Sequence, residues 1–290
     1  MSTAQIIGLV IQASLITIVF CVALNTERGD IVSLLRRPGL WLRSVLAMNI
    51  LLPLLAALLA GAFALNRQIE VALIALAVSP VPPILPNKLM KAGATRSYSV
   101  ALLALSAAVS IVLIPLMIWL VAQAFGHDVL VPPRTVFKVV AISVLAPLVA
   151  GALVRELAPG LGAKITRPLS VVASILLLAG FVPVVVLAWP ELANQVGNFT
   201  LVAIAVLTLA GLLVGHVLGG PNPGDRTALA LSTASRHPGV AIAVAGIITP
   251  GDKSVAAAVL LAFLVGIVVT TPYTRWRSRQ HAETGATSQS

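Results

Sequence analysis

Long apolar runs separated by short polar segments form the dominant pattern of this chain. A helix needs roughly 20 residues to cross a bilayer, and nine runs approach or exceed that length. They cover about residues 4–24, 43–65, 69–87, 98–124, 136–154, 168–189, 198–218, 227–248 and 254–273. The pattern predicts an all-α integral membrane protein with about nine spanning helices. Residues 1–279 should form one transmembrane domain, followed by a disordered polar tail over residues 280–290.

Two of these runs contain helix breakers. The third run has four prolines within seven residues, namely Pro80, Pro82, Pro83 and Pro86. The eighth run has Pro238 and Gly239 directly after Arg236 and His237. Because proline lacks a backbone N–H and obstructs the preceding turn, we expect both runs to form discontinuous helices. Their unpaired backbone groups then lie at membrane depth, where they must face protein or a cavity.

Each broken run is followed by a similar apolar helix. One begins at Arg96 and the other at Lys253, and each has a proline nineteen residues after its basic residue. With the amino terminus outside, the third run heads inward and the eighth outward, which makes the two units inverted copies. Inverted repeats with interrupted helices indicate a transporter with its binding site near the membrane midplane. Alternatively, the prolines are ordinary for membrane helices and the similarity reflects apolar composition alone.

Composition and charge placement exclude other classes. With 59% hydrophobic and 10% charged residues and a mean hydropathy of +1.04, the chain is not a soluble globular protein. The net charge of +10 could suggest nucleic-acid binding, but fourteen lysines and arginines fall on one side of the predicted topology and four on the other. This bias predicts a multi-pass protein of the cell's inner (plasma) membrane with an external amino terminus and a cytoplasmic carboxyl terminus. The predicted surroundings are the lipid bilayer, with no nucleic-acid partner.

The acidic residues lie away from the predicted site. All nine carboxylates fall in loops, at span ends or in the tail, and the four histidines show no metal-ligand spacing. Cation-coupled transporters usually carry intramembrane acids, and enzymes need a nucleophile with a base, paired acids or a metal. We therefore expect no enzymatic activity, no catalytic residues, no metal site and no cofactor.

The charge that remains within a span is positive. Arg236 lies near the middle of the eighth run, where an arginine costs about 2.5–3.5 kcal/mol on insertion scales and must face protein or water. Its planar fork suits a carboxylate, sulfate or phosphate, so we predict a site for a small organic anion with Arg236 as the main contact. The other candidate lining residues are Asn87, Ser99, Ser232, Ser235 and His237.

Each of these residues also has a structural interpretation. Arg236 could satisfy carbonyl groups of the broken helix, and His237 could simply pack at the break. Serine side chains in spanning helices often bond their own backbone. Lys88, at the end of the third run, could join the site or extend to the membrane surface.

Several segments resemble one family. They are Ile18-Val-Phe-Cys-Val-Ala-Leu-Asn-Thr-Glu-Arg-Gly-Asp-Ile-Val-Ser-Leu-Leu-Arg-Arg-Pro38, Leu52-Pro53, Lys91-Ala-Gly93, Ser99-Val-Ala101, Thr227-Ala-Leu-Ala-Leu and Pro238-Gly-Val-Ala241. Together these segments, spread over about residues 8–275, resemble the bile acid:sodium symporter family. The resemblance implies a core domain of crossing discontinuous helices (about 69–124 and 227–273) and a panel domain (about 4–65 and 136–218). It also implies substrate binding between the two domains and alternating access.

The sodium-binding motifs of that family are altered here. Its second broken helix reads Glu-x-Gly-x-Gln-Asn, and the Glu and Gln positions, which bind sodium, hold Ser232 and Arg236, while His237 stands at the Asn position. Its first break reads Gly-Gly-Thr-x-Ser-Asn, of which only Asn87 corresponds. Ser99 matches a sodium-ligand serine and Leu103 replaces a threonine.

These changes lead to a hypothesis about coupling. A guanidinium repels sodium at close range, so Arg236 takes the place of the missing cation and transport is not sodium-coupled. Proton coupling through His237, exchange, and uncoupled transport stay open.

Our main prediction is a secondary transporter that moves a small organic anion by alternating access. One alternative is a conventional sodium symporter whose ligands are carbonyl and hydroxyl oxygens. Another, of a different class, is a non-transporting ligand-binding protein that signals through its basic tail at Arg275–Arg279.

Overall fold

The computed structural model describes residues 3–25, 36–63, 65–82, 84–125, 134, 138, 141–197, 199–249 and 252–287. Over this part of the chain the regular structure is helical. The helices are α1 (Thr3–Leu24), α2 (Pro38–Ala62), α3 (Arg67–Val78), α4 (Leu85–Lys91), α5 (Arg96–Phe125), α6 (Ala146–Leu157), α7 (Pro159–Leu187), α8 (Trp189–Asn194), α9 (Thr200–Leu218), α10 (Pro223–Ala234), α11 (Pro238–Ile248) and α12 (Lys253–Thr287). A π-helical turn, Leu46–Leu51, lies within α2, and another, Ala141–Leu145, leads into α6.

Among the described residues, six helices are long and apolar enough to cross a membrane: α1, α2, α5, α7, α9 and α12. The predicted all-α membrane class is confirmed to this extent. The count of nine spans stays a prediction, because the third and eighth are divided into shorter helices and the fifth lies partly outside the described residues.

The helix breakers act where the sequence places them. α3 ends at Val78 and α4 begins at Leu85, with Pro80 and Pro82 between them, while Pro83 lies outside the described residues. α10 ends at Ala234 and α11 begins at Pro238. Proline is favoured in the first turn of a helix, where its missing N–H costs nothing, so Pro86 and Pro238 start α4 and α11 rather than kink them.

The two interrupted helices meet at their breaks. The backbone N–H of His237 donates to the carbonyl oxygen of Pro80 at 2.9 Å. On one side of this contact α3 packs against α11, and on the other side α4 contacts α10. α5 and α12 flank the pair, and α9 packs along α10 so closely that a Cβ on Gly215 would lie 2.5 Å from the Cα of Ala230. Small residues permit such approaches between membrane helices.

A second group of helices consists of α1, α6 and α7, which pack mainly on one another. The closest approach is at Gly151 of α6, where a Cβ would lie 2.5 Å from the carbonyl oxygen of Phe20. α2 and α9, which the sequence assigns to the panel domain, make contacts with α3 and α10 respectively. The exact division into core and panel stays a prediction.

The chain after Gln280 differs from expectation. Residues 280–287, predicted to be disordered, continue α12, while residues 288–290 lie outside the described part. Just before this stretch the helix contacts the ends of other helices, where Arg277 donates to the Pro223 carbonyl at 2.8 Å and Ser278 Oγ lies 3.1 Å from the Lys91 carbonyl oxygen. The polar composition of this segment, on which the prediction of disorder depended, does not reveal such long-range contacts.

Candidate functional site

Arg236 lies in the short break between α10 and α11 and is 5% exposed. Its Nη1 donates to the carbonyl oxygen of Ser79 at 3.0 Å, and its Nη2 donates to the carbonyl oxygen of Met48. One side chain therefore joins the second break to the end of α3 and to the π-helical turn of α2.

The Met48 carbonyl has no hydrogen-bond donor within its own helix because of Pro53. In the π-helical turn the N–H of Leu52 donates to the carbonyl of Ala47, five residues earlier. The next donor in that register would be residue 53, which is a proline and has no N–H. Met48 is thus left with an acceptor that nothing in its own helix can satisfy, and Arg236 supplies the donor.

The Ser79 carbonyl is free for a similar reason. It lies at the end of α3, and the residues three and four positions on, Pro82 and Pro83, both lack an N–H. The first break is completed by Ser106 of α5, whose Oγ accepts the Val81 N–H at 3.1 Å. The prolines that interrupt the third run therefore create acceptors, and Arg236 pairs with one of them.

These contacts establish the structural role of Arg236, but they do not use all of its donors. A guanidinium has five N–H groups, and the Nε of Arg236 is buried without a hydrogen-bond partner. A buried donor without a partner costs about 1–3 kcal/mol, so one donor of Arg236 is unsatisfied in this structure. The predicted contact with an anion stays a prediction.

A cavity of about 320 Å³ lies beside Arg236, within the size range of small-molecule sites. Its walls come from α2, α3, α4, α9, α12 and both breaks, and they are mostly leucine, isoleucine, alanine and phenylalanine. The polar or charged lining residues are Arg236, Lys88, Ser235, Thr208 and Thr270, with no carboxylate among the described lining residues. The cavity combines two cations with a largely apolar wall.

His237 acts as the amino-terminal cap of α11. Its Nδ1 accepts the N–H groups of Gly239 at 3.1 Å and Val240 at 3.3 Å. With Nδ1 as an acceptor, the neutral ring carries its hydrogen on Nε2, which is buried without a partner. Protonation would place a hydrogen on Nδ1 and break the cap, which makes His237 a poor proton carrier in this geometry.

The other predicted residues are distributed around the crossing. Ser235 lines the cavity with Arg236, whereas Asn87, Ser99, Ser232 and His237 do not. Ser99 donates to the Thr95 carbonyl at 2.8 Å and so bonds the backbone of its own helix. Ser232 is fully buried with an unpartnered Oγ, and Asn87 is half-buried on α4. Leu103, which the resemblance aligns with a threonine, is buried in the core, and that alignment stays a prediction.

Some residues of the site were missed by the sequence analysis. Thr208 and Thr270 line the cavity, and only their polarity within apolar runs distinguished them. The sequence does contain an indication that the Met48 carbonyl lacks a partner in its helix, since Pro53 removes the intrahelical donor. From the sequence, Lys88 could join the site or extend to the membrane surface, and its half-buried position on the cavity wall places it beside the candidate site.

The sequence profile described as the Sodium Bile acid symporter family, a family of transporters, matches residues 12–195. The matched range covers well over half of the chain and ends before α9, so the second break and Arg236 lie beyond it. No curated protein matches the chain. On the extent of the profile match, together with the apolar helical architecture, the chain belongs to the sodium bile acid symporter family.

Proposed function

We propose that this protein is a secondary transporter of a small organic anion whose acidic group binds at Arg236. The observation that carries the proposal is that Arg236, a buried arginine with one unsatisfied donor, lines a mostly apolar cavity. Lys88 adds a second cation to the same wall, and no carboxylate offsets either charge among the described lining residues. An amphipathic anion matches this lining, with its acidic group at the cations and its apolar part against the leucines.

Alternating access is supported by the arrangement of the two interrupted helices. The contacts of α3 with α11 and of α4 with α10 suit two units of opposite direction that cross at their breaks. Such units are the hallmark of inverted-repeat transporters, whose sites lie where discontinuous helices meet. Because α2 and α9 also line the cavity, movement of the crossing helices against these two would open the site to each side in turn.

We further propose that transport is not coupled to sodium. The guanidinium of Arg236 already binds two carbonyl oxygens, which are the hard ligands that a sodium ion would need. A second cation about 4 Å away would be repelled by about 4 kcal/mol at an effective dielectric constant of about 20.

The proposal is tested by a thermal-shift screen of organic acids on the purified protein, followed by uptake into proteoliposomes. We expect stabilisation by an amphipathic monocarboxylate, equal in sodium and choline chloride at constant ionic strength. Arg236→Gln should abolish this anion response, and Arg67→Gln, an exposed arginine at the start of α3, should retain it.

The same measurements separate the alternatives. Uptake that rises with sodium at constant ionic strength would support the conventional symporter and contradict the uncoupled proposal. Anion binding without flux would support the non-transporting interpretation. An unchanged anion response in Arg236→Gln would remove the central residue from the site.

A further inference from the structure

A second pair of arginines converges on the turn between α9 and α10. Arg226 Nε donates to the carbonyl oxygen of Gly220 at 2.5 Å, and Gly220 has a φ of +80°. A Cβ built on Gly220 would lie 3.6 Å from Nη1 of Arg43, which projects from α2. Guanidinium groups from two different helices therefore approach the same glycine.

These two charges have no acidic partner within the described structure. Arg43 is exposed and its side chain makes no hydrogen bond or ion pair with described residues, and Arg226 bonds the Gly220 carbonyl. The neighbouring acid, Asp225, instead pairs with Arg37 at 2.7 Å. Two like charges held close together repel unless an anion lies between them, so this turn is a candidate anion site.

Aromatic side chains indicate the depth of this turn in the membrane. His216 in the last turn of α9 bonds the hydroxyl of Tyr273 through Nδ1 at 2.8 Å, and its ring centroid lies 6.1 Å from that of Trp276. Trp276 is 45% exposed, and Arg277 lies over its ring at 5.3 Å. Aromatic rings with polar edges are typical of the membrane–water interface, where lipid phosphates lie.

An apolar surface adjoins the same turn. Leu213 and Val217 of α9, about two turns and one turn before Gly220, are 65% and 67% exposed, and Leu42 beside Arg43 is also exposed. The arrangement places cations at interface depth and aliphatic side chains directly beside them. This combination fits a phospholipid better than a soluble anion, because both the phosphate and an acyl chain find a matching surface.

We infer that Arg43 and Arg226 bind the phosphate of an anionic phospholipid at the Gly220 turn. Guanidinium groups pair with phosphate oxygens through directed N–H bonds, and basic pockets between membrane helices bind anionic headgroups. Neither arginine lines the cavity at Arg236, so this inference is independent of the proposed transport function.

The test uses the full-length protein and native mass spectrometry after incubation with phosphatidylglycerol or phosphatidylcholine of the same acyl chains. We expect the wild-type protein to retain phosphatidylglycerol preferentially. Arg43→Gln should reduce that retention about fivefold, which corresponds to one arginine near a charged surface. Because the Arg43 side chain has no partner among the described residues, this substitution should leave folding intact, and adding Arg226→Gln should reduce retention further.

Arg279→Gln is the matched control, since Arg279 is an exposed arginine on the carboxyl-terminal part of α12. Its phosphatidylglycerol retention should equal that of the wild type. Equal retention by Arg43→Gln and wild type, or an equal loss in Arg279→Gln, would overturn the site. Stabilisation by inorganic phosphate that depends on Arg43, without preferential lipid retention, would overturn the lipid assignment.

Discussion

Arg236 donates to the main-chain oxygen of Met48, a residue 188 positions earlier in the chain. The contact exists because Pro53 leaves the Met48 carbonyl without a donor in its own helix. A proline in α2 thereby determines where the buried cation of the second break is held. The relationship makes Pro53 a positioning residue for Arg236, and it can be tested separately from transport.

Replacing Pro53 with alanine should restore an N–H to α2. This N–H would compete for the Met48 carbonyl oxygen and weaken its hydrogen bond with Arg236. In a double-mutant cycle with Arg236→Met, unfolding of the purified protein should show a coupling free energy of about 1.5–3 kcal/mol, the scale of a hydrogen bond to a charged group. Anion affinity should fall in the Pro53→Ala single variant.

Pro147 provides the control for that cycle. It also follows a π-helical turn, Ala141–Leu145, and lies in the first turn of α6. Arg236 makes its side-chain hydrogen bonds elsewhere, so the coupling between Pro147→Ala and Arg236→Met should be near zero. Equal coupling for the two prolines would contradict the positioning role of Pro53.

Removing the guanidinium should create a requirement for a cation. Arg236→Gln frees the carbonyl oxygens of Met48 and Ser79, which are suitable ligands for a hard cation. We expect this variant to be less stable than the wild type by about 2–4 kcal/mol, because two buried acceptors lose their donor. Sodium chloride should raise its melting temperature relative to choline chloride, whereas the wild type should respond equally to both salts.

His237 should behave as a helix cap. His237→Ala removes the acceptor for the Gly239 and Val240 N–H groups and should cost about 1 kcal/mol of unfolding free energy. Asparagine is a good capping residue, so His237→Asn should retain most of the stability. Uptake by His237→Asn should keep the wild-type pH profile, and a profile that becomes flat would instead identify His237 as the proton site.

Lys88 should contribute to anion binding through the cavity wall. Lys88→Gln should weaken the affinity for an organic anion about five- to tenfold, with little change in melting temperature, because the side chain is half-buried and makes no hydrogen bond with the described residues. Lys91→Gln is the matched control, since Lys91 is exposed on the same helix and does not line the cavity. The two variants should therefore differ in anion titrations; similar affinities would exclude Lys88 from the site.

Much of the fold was predictable because its causes are local. The prolines at positions 80, 82 and 238 lack backbone donors wherever they occur, so the interruptions in α3–α4 and α10–α11 follow from composition. The sequence also predicted a polar partner for Arg236, because an arginine within an apolar membrane span must be paired or reach water.

The breaks in two membrane helices, and the buried cation at one of them, follow from local residue chemistry alone. Which acceptors the cation uses depends on packing, because Met48 and Ser79 lie 188 and 157 residues away and reach it only in the folded protein. The fold also determines that His237 caps α11 and that Ser99 bonds its own helix, since local donors and acceptors compete with any ligand. Residue type determines locally which backbone groups lack a hydrogen-bond partner in their own helix. Which partners those groups then find depends on which helices pack together.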